Sequence, residues 1–89
     1  MRYSLQIKVG KRIREIRIEK NISQQDLAAK CNFEKSNMSR LEAGRANATL
    51  STLDIVSKAL EINMIELFSC LYLLVLLSPL YYEHVPKHH

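Results

Sequence analysis

Apolar residues recur at helical spacing in a succession of short segments along this chain of 89 residues. In the first segment, Leu5, Val9, Ile13 and Ile16 follow one another at spacings of four, four and three, so they share one face of an α-helix that ends near Asn21. The chain has only two Gly and two Pro, too few for the tight turns of a many-stranded barrel or sandwich. The sequence therefore predicts an all-α fold, and its length allows one small domain.

A helix-start signal occurs twice. Segment 22–27 reads Ile-Ser-Gln-Gln-Asp-Leu, with a serine at the N-cap, an acid three residues later and an apolar pair placed as a hydrophobic staple. This segment predicts a helix from Gln24 to about Cys31. Segment 62–67, Ile-Asn-Met-Ile-Glu-Leu, repeats the signal. It predicts a fifth helix that starts near Met64 and runs into an apolar tail, with Pro79 as its limit.

Two more helices are predicted between these signals. The third begins near Glu34, buries Met38 and Leu41, and ends before Gly44, where a left-handed C-terminal cap is expected. The fourth is capped by Thr49 and carries four apolar residues at helical spacing, namely Leu50, Leu53, Val56 and Leu60. The turn before the third helix contains Asn32, a residue that tolerates a left-handed backbone. Two short helices joined by such a turn, the second exposing polar and basic residues, are typical of a helix-turn-helix that reads DNA.

Over about residues 5–68 the sequence resembles the XRE/Cro-type DNA-binding domain of phage-repressor-like regulators. Four motifs in the expected order carry the resemblance: Gly10-Lys11-Arg12-Ile13-Arg14-Glu15-Ile16-Arg17, Ser23-Gln24-Gln25-Asp26-Leu27-Ala28, Met38-Ser39-Arg40-Leu41-Glu42-Ala43-Gly44, and Leu53 to Leu60. The resemblance implies a five-helix repressor-like domain over 5–68, followed by an apolar extension over 69–89. It also implies double-stranded DNA as the partner, with no cofactor.

The resemblance assigns roles to individual residues. Gln24, at the start of the second helix, matches a glutamine that contacts the DNA backbone. Lys35, Ser36 and Arg40 match positions that face base edges, with Asn37 beside them. Such side chains suit that role, because Arg and Lys donate to guanine and Asn pairs with adenine. The loop residues expected to approach phosphate are Arg45, Asn47 and Thr49.

Arg17 and Glu42 match a pair that forms an internal salt bridge in this family, which would exclude Arg17 as a DNA contact. Ala28 matches the small residue that lets the two helices cross closely. Glu34 departs from the family pattern, because a Ser or Thr cap is usual there. Its negative charge either weakens non-specific DNA binding or accepts a hydrogen bond from cytosine.

Positive charge is concentrated at one end of the chain. Residues 1–20 contain seven Lys or Arg and two Glu, whereas residues 21–68 are nearly neutral. Lys8, Lys11 and Arg14 are each best interpreted as part of a solvated helix face. Lys11 and Arg12, near the start of the motif, are candidates for phosphate contacts.

Hydrophobic character is concentrated at the other end, where the 16 residues from Leu67 to Tyr82 carry no charge. The favoured interpretation is a homodimer core, with dimerisation through Leu71, Leu74, Val75, Leu77 and Tyr81. A second is a docking segment for a different protein, such as a toxin bound by a DNA-binding antitoxin. A membrane anchor is disfavoured, because a spanning helix needs about 20 apolar residues.

No catalytic constellation, phosphate-binding glycine loop or metal-ligand spacing is present in the sequence, so we expect neither an enzyme nor a metal site. The two cysteines form no Cys-x-x-Cys pair and no secretory signal precedes the motif, which favours a cytoplasmic protein. The sequence thus predicts a sequence-specific transcriptional regulator, a repressor that binds a palindromic operator as a homodimer. The contrasting hypothesis is a protein-interaction module that has lost DNA binding.

Overall fold

Four α-helices and a final 3₁₀ turn make up the part of the chain that the computed structural model describes, residues 4–68. The helices are α1 (Ser4–Glu19), α2 (Gln24–Cys31), α3 (Lys35–Glu42) and α4 (Leu50–Leu60), and the 3₁₀ segment spans Met64–Phe68. Within residues 4–68 no β-strand occurs. The expected all-α, repressor-like fold is confirmed, with α2 and α3 as the helix-turn-helix.

Side-chain caps start two of these helices. The Ser23 hydroxyl accepts a hydrogen bond of 3.0 Å from the backbone N–H of Asp26, as the start signal predicted. The Thr49 hydroxyl accepts one of 3.1 Å from the N–H of Thr52. Glu34 occupies the corresponding position of α3, but its side chain makes no capping hydrogen bond.

Backbone hydrogen bonds close the end of every α-helix in the same way. After each helix one residue has a positive φ, and the N–H of the next residue bonds a carbonyl five positions earlier, which is the Schellman arrangement. At the end of α3, for example, Gly44 has φ 75° and the N–H of Arg45 donates to the Arg40 carbonyl over 2.9 Å. The residues with φ near 59° at the other three ends are Asn21, Asn32 and Glu61. A single residue per joint therefore sets each change of direction.

The core lies where the apolar stripes of the helices meet. Its buried members are Val9, Ile13, Ile16, Leu27, Ala28, Cys31, Met38, Leu41, Leu53, Val56, Leu60 and Leu67. Two residues predicted on these stripes lie outside it, since Leu5 is 48% exposed and Leu50 is 72% exposed. Both lie in the first turn of their helix, beyond the surface that neighbouring helices cover.

Gly10 allows α1 to pass directly over the end of α3. A β-carbon at this position would lie 2.8 Å from the Glu42 carbonyl oxygen and closer still to that of Leu41. Real β-carbon contacts are essentially never that short. The crossing of α1 and α3 therefore requires a residue without a side chain.

The predicted fifth α-helix is wrong for the residues that are described, because Met64–Phe68 forms a 3₁₀ turn. Its hydrogen bond runs from the Glu66 N–H to the Asn63 carbonyl over 3.0 Å, the three-residue spacing of a 3₁₀ helix. Glu66 also accepts from the Asn63 N–H at 3.3 Å. Leu67 is fully buried, and the segment packs against α1 and α4.

The proposed dimerisation residues Leu71, Leu74, Val75, Leu77 and Tyr81 lie outside the described residues, as does the expected continuation to Pro79. Among the helices of residues 4–68, none has the length and apolar character required to cross a membrane.

Candidate nucleic-acid interface

Helix α3 divides cleanly into a buried and an exposed side. Met38 is fully buried and Leu41 is 5% exposed, so they anchor the helix in the core. The side chains expected to read DNA all lie on the exposed side, and they are Lys35, Ser36, Asn37 and Arg40. Ala28, 2% exposed, lies in α2 in the core cluster that also contains Met38 and Leu41. The structure thus presents a row of hydrogen-bonding and cationic groups on a rigidly packed helix.

A buried ion pair fixes α3 to α1. Arg17 donates from Nε to Glu42 Oε2 over 2.7 Å and from Nη2 to Glu42 Oε1 over 3.0 Å. Its Nη1 donates to the Ile22 carbonyl over 3.0 Å. The two side chains are only 12% and 4% exposed. The predicted pair is therefore present, and its bidentate geometry constrains the orientation of α3 more than it adds net stability, because desolvation offsets much of the attraction.

Gln24 joins this network. It is half-buried at the first position of α2, and its Nε2 donates to Glu42 Oε1 over 3.1 Å. No sequence pattern indicated this bond, which links residues 18 positions apart. Glu42 thereby connects three helices. The contact of Gln24 with the DNA backbone stays a prediction.

A groove of about 470 Å³ opens between the second half of α1, the start of α2 and the exposed side of α3. Its lining residues are Arg14, Arg17, Ser23, Gln24, Gln25, Lys35, Ser39, Glu42 and Ala43. The groove therefore borders two of the predicted DNA-contact residues, Gln24 and Lys35. Sequence patterns did not indicate Arg14 as a neighbour of these residues.

The segment between α3 and α4 holds the remaining predicted contacts. Arg45, Asn47 and Thr49 are all exposed there. The amide oxygen of Asn47 accepts a 2.7 Å hydrogen bond from Gln6 Nε2 on α1, so the amide nitrogen of Asn47 remains available to an acceptor such as phosphate. The Thr49 hydroxyl caps α4 as described above. Gln6 is a positioning residue that the sequence did not reveal.

Two further side chains near the turn have contrasting environments. Glu34 is exposed, and no hydrogen bond or ion pair within residues 4–68 engages its carboxylate, so it adds negative charge beside Lys35. Cys31 is buried in the core, and this burial raises the pKa of its thiol. Cys31 is therefore a packing residue and a poor nucleophile at neutral pH. No group of three metal-ligating side chains comes together in the described part of the chain.

The chain matches a family model and several curated proteins. Residues 12–71 match the model for the Cro/C1-type HTH DNA-binding domain. The chain is 43% identical to the immunity repressor protein of Bacillus phage phi105 over 56 residues, which are 63% of this chain and 39% of that repressor. It is 33% identical to the control protein C.BamHI of Bacillus amyloliquefaciens over 64 residues, 71% of this chain and 79% of that protein. The chain thus spans less than half of the phage repressor but most of the control protein.

Solved structures agree with these matches. One of them is the restriction-modification controller protein C.Esp1396I, solved as a tetramer in complex with its natural 35 base-pair operator. It superposes on this chain with a TM-score of 0.69 at 35% identity, and the match covers 76% of this chain and 90% of that one. The matched proteins are repressors and control proteins rather than enzymes, which agrees with the expected function class. The predicted DNA-binding regulator is confirmed at this level: the chain belongs to the Cro/C1-type helix-turn-helix family of DNA-binding transcriptional regulators.

Proposed function

We propose that this chain is a sequence-specific transcriptional repressor, which binds a palindromic operator as a homodimer through α2 and α3. The observation that carries the proposal is the exposed row on α3, held in one orientation by the Arg17–Glu42 ion pair. A recognition helix must present its side chains to base edges in a fixed direction, because the pattern of donors and acceptors in the major groove is read geometrically. The matching solved structure of an operator complex supports double-stranded DNA as the partner.

The proposed contacts fall into two classes. Lys35, Ser36 and Arg40 face base edges, with Asn37 beside them, since guanidinium, ammonium, hydroxyl and amide groups match the major-groove donors and acceptors. Phosphate contacts come from the two flanks of α3, where Gln24, Arg45, Asn47 and Thr49 lie. The first class selects sequence, whereas the second supplies affinity that depends on salt.

Homodimerisation suits the two-fold symmetry of a palindromic duplex operator. Two recognition helices related by two-fold symmetry reach half-sites about one helical turn, ~34 Å, apart. Ile55 on α4 and Ile65 in the 3₁₀ segment are 42% and 56% exposed, so the described residues offer some apolar surface in addition to that of the tail sequence. We propose residues 5–68 as the DNA-binding unit and 69–89 as the dimerisation segment. In a bacterial cell such a repressor acts in the cytoplasm, where the DNA lies.

The base-reading role of α3 is tested by substitution of Arg40. Operator fragments are first selected from the source genome by the wild-type protein, and fluorescence anisotropy then gives the affinity for the selected site and for unrelated DNA. Arg40→Ala should lose about 1–3 kcal/mol at the selected site and relax the preference at one base position. Lys58→Ala is the matched control, because Lys58 is an exposed cation on α4 that pairs with Asp54 of the same helix and does not line the groove beside α3. An equal loss for Arg40→Ala on both DNAs would show that Arg40 contacts phosphate only.

The dimerisation role of the tail is tested by truncation after Phe68. Analytical ultracentrifugation should show a dimer for the full chain and a monomer for the truncated one, with helicity checked by circular dichroism. A dimer that survives truncation contradicts the assignment of 69–89 to the interface.

A further inference from the structure

The groove between α1, α2 and α3 is positively charged, and part of that charge comes from α1, which lies outside the helix-turn-helix. Three of its lining side chains are cationic: Arg14, Arg17 and Lys35. One is anionic, Glu42. The cations come from two different helices, α1 and α3, so the groove concentrates positive charge only in the folded chain.

The ion pair with Glu42 neutralises one of these cations, Arg17. Both carboxylate oxygens of Glu42 are bonded to Arg17, and the three guanidinium nitrogens of Arg17 all donate within the protein. The two charges therefore compensate one another. Among the residues that line the groove, Arg14 and Lys35 are then left without an anionic partner.

Arg14 is available to a ligand. It precedes Arg17 by three residues, which places the two on the same side of α1. It is exposed, and among residues 4–68 it forms no salt bridge and no side-chain hydrogen bond. Its neighbour Arg12, by contrast, is engaged by Glu15 and by the Glu66 carbonyl. A free guanidinium over a polar groove suits a phosphate, which it binds through two parallel N–H donors.

We propose that the groove seats a backbone phosphate of the operator and that Arg14 binds it, beside the base edges that Lys35 faces. This inference rests on the proposed function and extends it to α1, which becomes part of the DNA-binding surface. Arg14 thus has a more specific role than the solvated-face interpretation gives it. The ligand is a phosphodiester of duplex DNA, so Arg14 contributes affinity without choosing sequence.

The salt dependence of DNA binding tests this contact in the full-length protein. Arg14→Gln is compared with Lys8→Gln, which removes the same charge from an exposed position of α1 that does not line the groove between α1, α2 and α3. Anisotropy titrations on the selected operator and on unrelated duplex are run over a range of KCl concentrations. Circular dichroism melts check that both variants fold.

Loss of one phosphate contact should lower the slope of log affinity against log salt by about 0.9, which corresponds to about a five-fold loss at 0.15 M salt. Arg14→Gln should show this change on both DNAs, Lys8→Gln should show less than half of it, and Arg14→Lys should restore most of the slope. Equal slopes for Arg14→Gln and Lys8→Gln, with wild-type protein binding normally, overturn the Arg14 contact alone. Absence of DNA binding by the wild-type protein overturns the proposed function together with the contact.

Discussion

Substitution of Gly10 by alanine tests whether α1 and α3 are in as close contact as the structure indicates. In an unobstructed helix this change is stabilising by about 1 kcal/mol, since alanine has the higher helix propensity. Here the added methyl would lie 2.8 Å from the Glu42 carbonyl oxygen, against 3.4–4 Å for an ordinary contact. The obstructing atoms belong to the backbone, so no side-chain rotation relieves the overlap.

The magnitude follows from the two opposing contributions. Forcing a methyl group into a packed contact costs about 1–3 kcal/mol, and backbone obstruction favours the upper part of that range. Subtracting the propensity gain leaves a net destabilisation of about 1–2 kcal/mol. For a domain of this size that lowers Tm by roughly 5–15 °C.

Urea denaturation and thermal melts followed by circular dichroism measure the effect. Ala29→Gly is the control, because Ala29 is an exposed position of α2 and reports the propensity contribution by itself. The sign of the change in the free energy of unfolding decides whether α1 and α3 are in close contact. A Gly10→Ala variant that is more stable than the wild-type protein would refute the close crossing of α1 over α3.

Four further variants test the ion pair, a helix end and the buried thiol. Glu42→Ala should lower the free energy of unfolding by about 3–5 kcal/mol, because Arg17 is left charged at 12% exposure. The double variant Arg17→Met/Glu42→Leu should lose far less stability, because it leaves no unpaired buried charge. Equal decreases in the urea midpoints of the two variants would contradict this reasoning. Glu61→Gly should raise the free energy of unfolding by about 0.5–1 kcal/mol, because Glu61 has a left-handed backbone with φ 59°, which glycine adopts without steric cost. A lower Tm for this variant would contradict the left-handed conformation of residue 61. Burial raises the pKa of the Cys31 thiol above its ordinary 9.0, so the folded chain binds the thiol proton more tightly than the unfolded chain does. This difference stabilises the folded state fully below pH 9, and the stabilisation is lost as the pH rises through the folded pKa. Wild-type stability measured relative to Cys31→Ala should therefore decline in alkaline urea titrations, and a constant difference would contradict the burial of the thiol.

Local interactions explain why most helix boundaries could be predicted. The Ser23 cap acts over three residues, and the left-handed turn at Asn32 depends on one residue and its neighbours, so both are contained in a short stretch of sequence. The exposed positions of α3 follow from helical periodicity once Met38 and Leu41 are placed in the core. The exposure of Leu50 was missed because periodicity does not tell where the covering surface of a neighbouring helix ends.

Non-local geometry explains what was missed. The bond from Gln24 to Glu42, the support of Asn47 by Gln6, and the placement of Arg14 beside Lys35 each depend on how separate helices cross. Gly10 was visible as a glycine inside a predicted helix, where it costs about 1 kcal/mol relative to alanine. A glycine inside a helix despite this cost indicates close packing, although the sequence did not identify the end of α3 as the packing partner.

The backbone closures at the four helix ends have a consequence for how such a domain can acquire new DNA targets. Each joint is closed by main-chain hydrogen bonds and one left-handed residue, and the Arg17–Glu42 pair that orients α3 is buried, so neither depends on the outward side chains of α3. The scaffold and the outward residues of α3 are therefore largely separable. In the proposed DNA complex, specificity can be reprogrammed by exchanging Lys35, Ser36, Asn37 and Arg40, in nature or in the laboratory, without redesign of the frame that carries them.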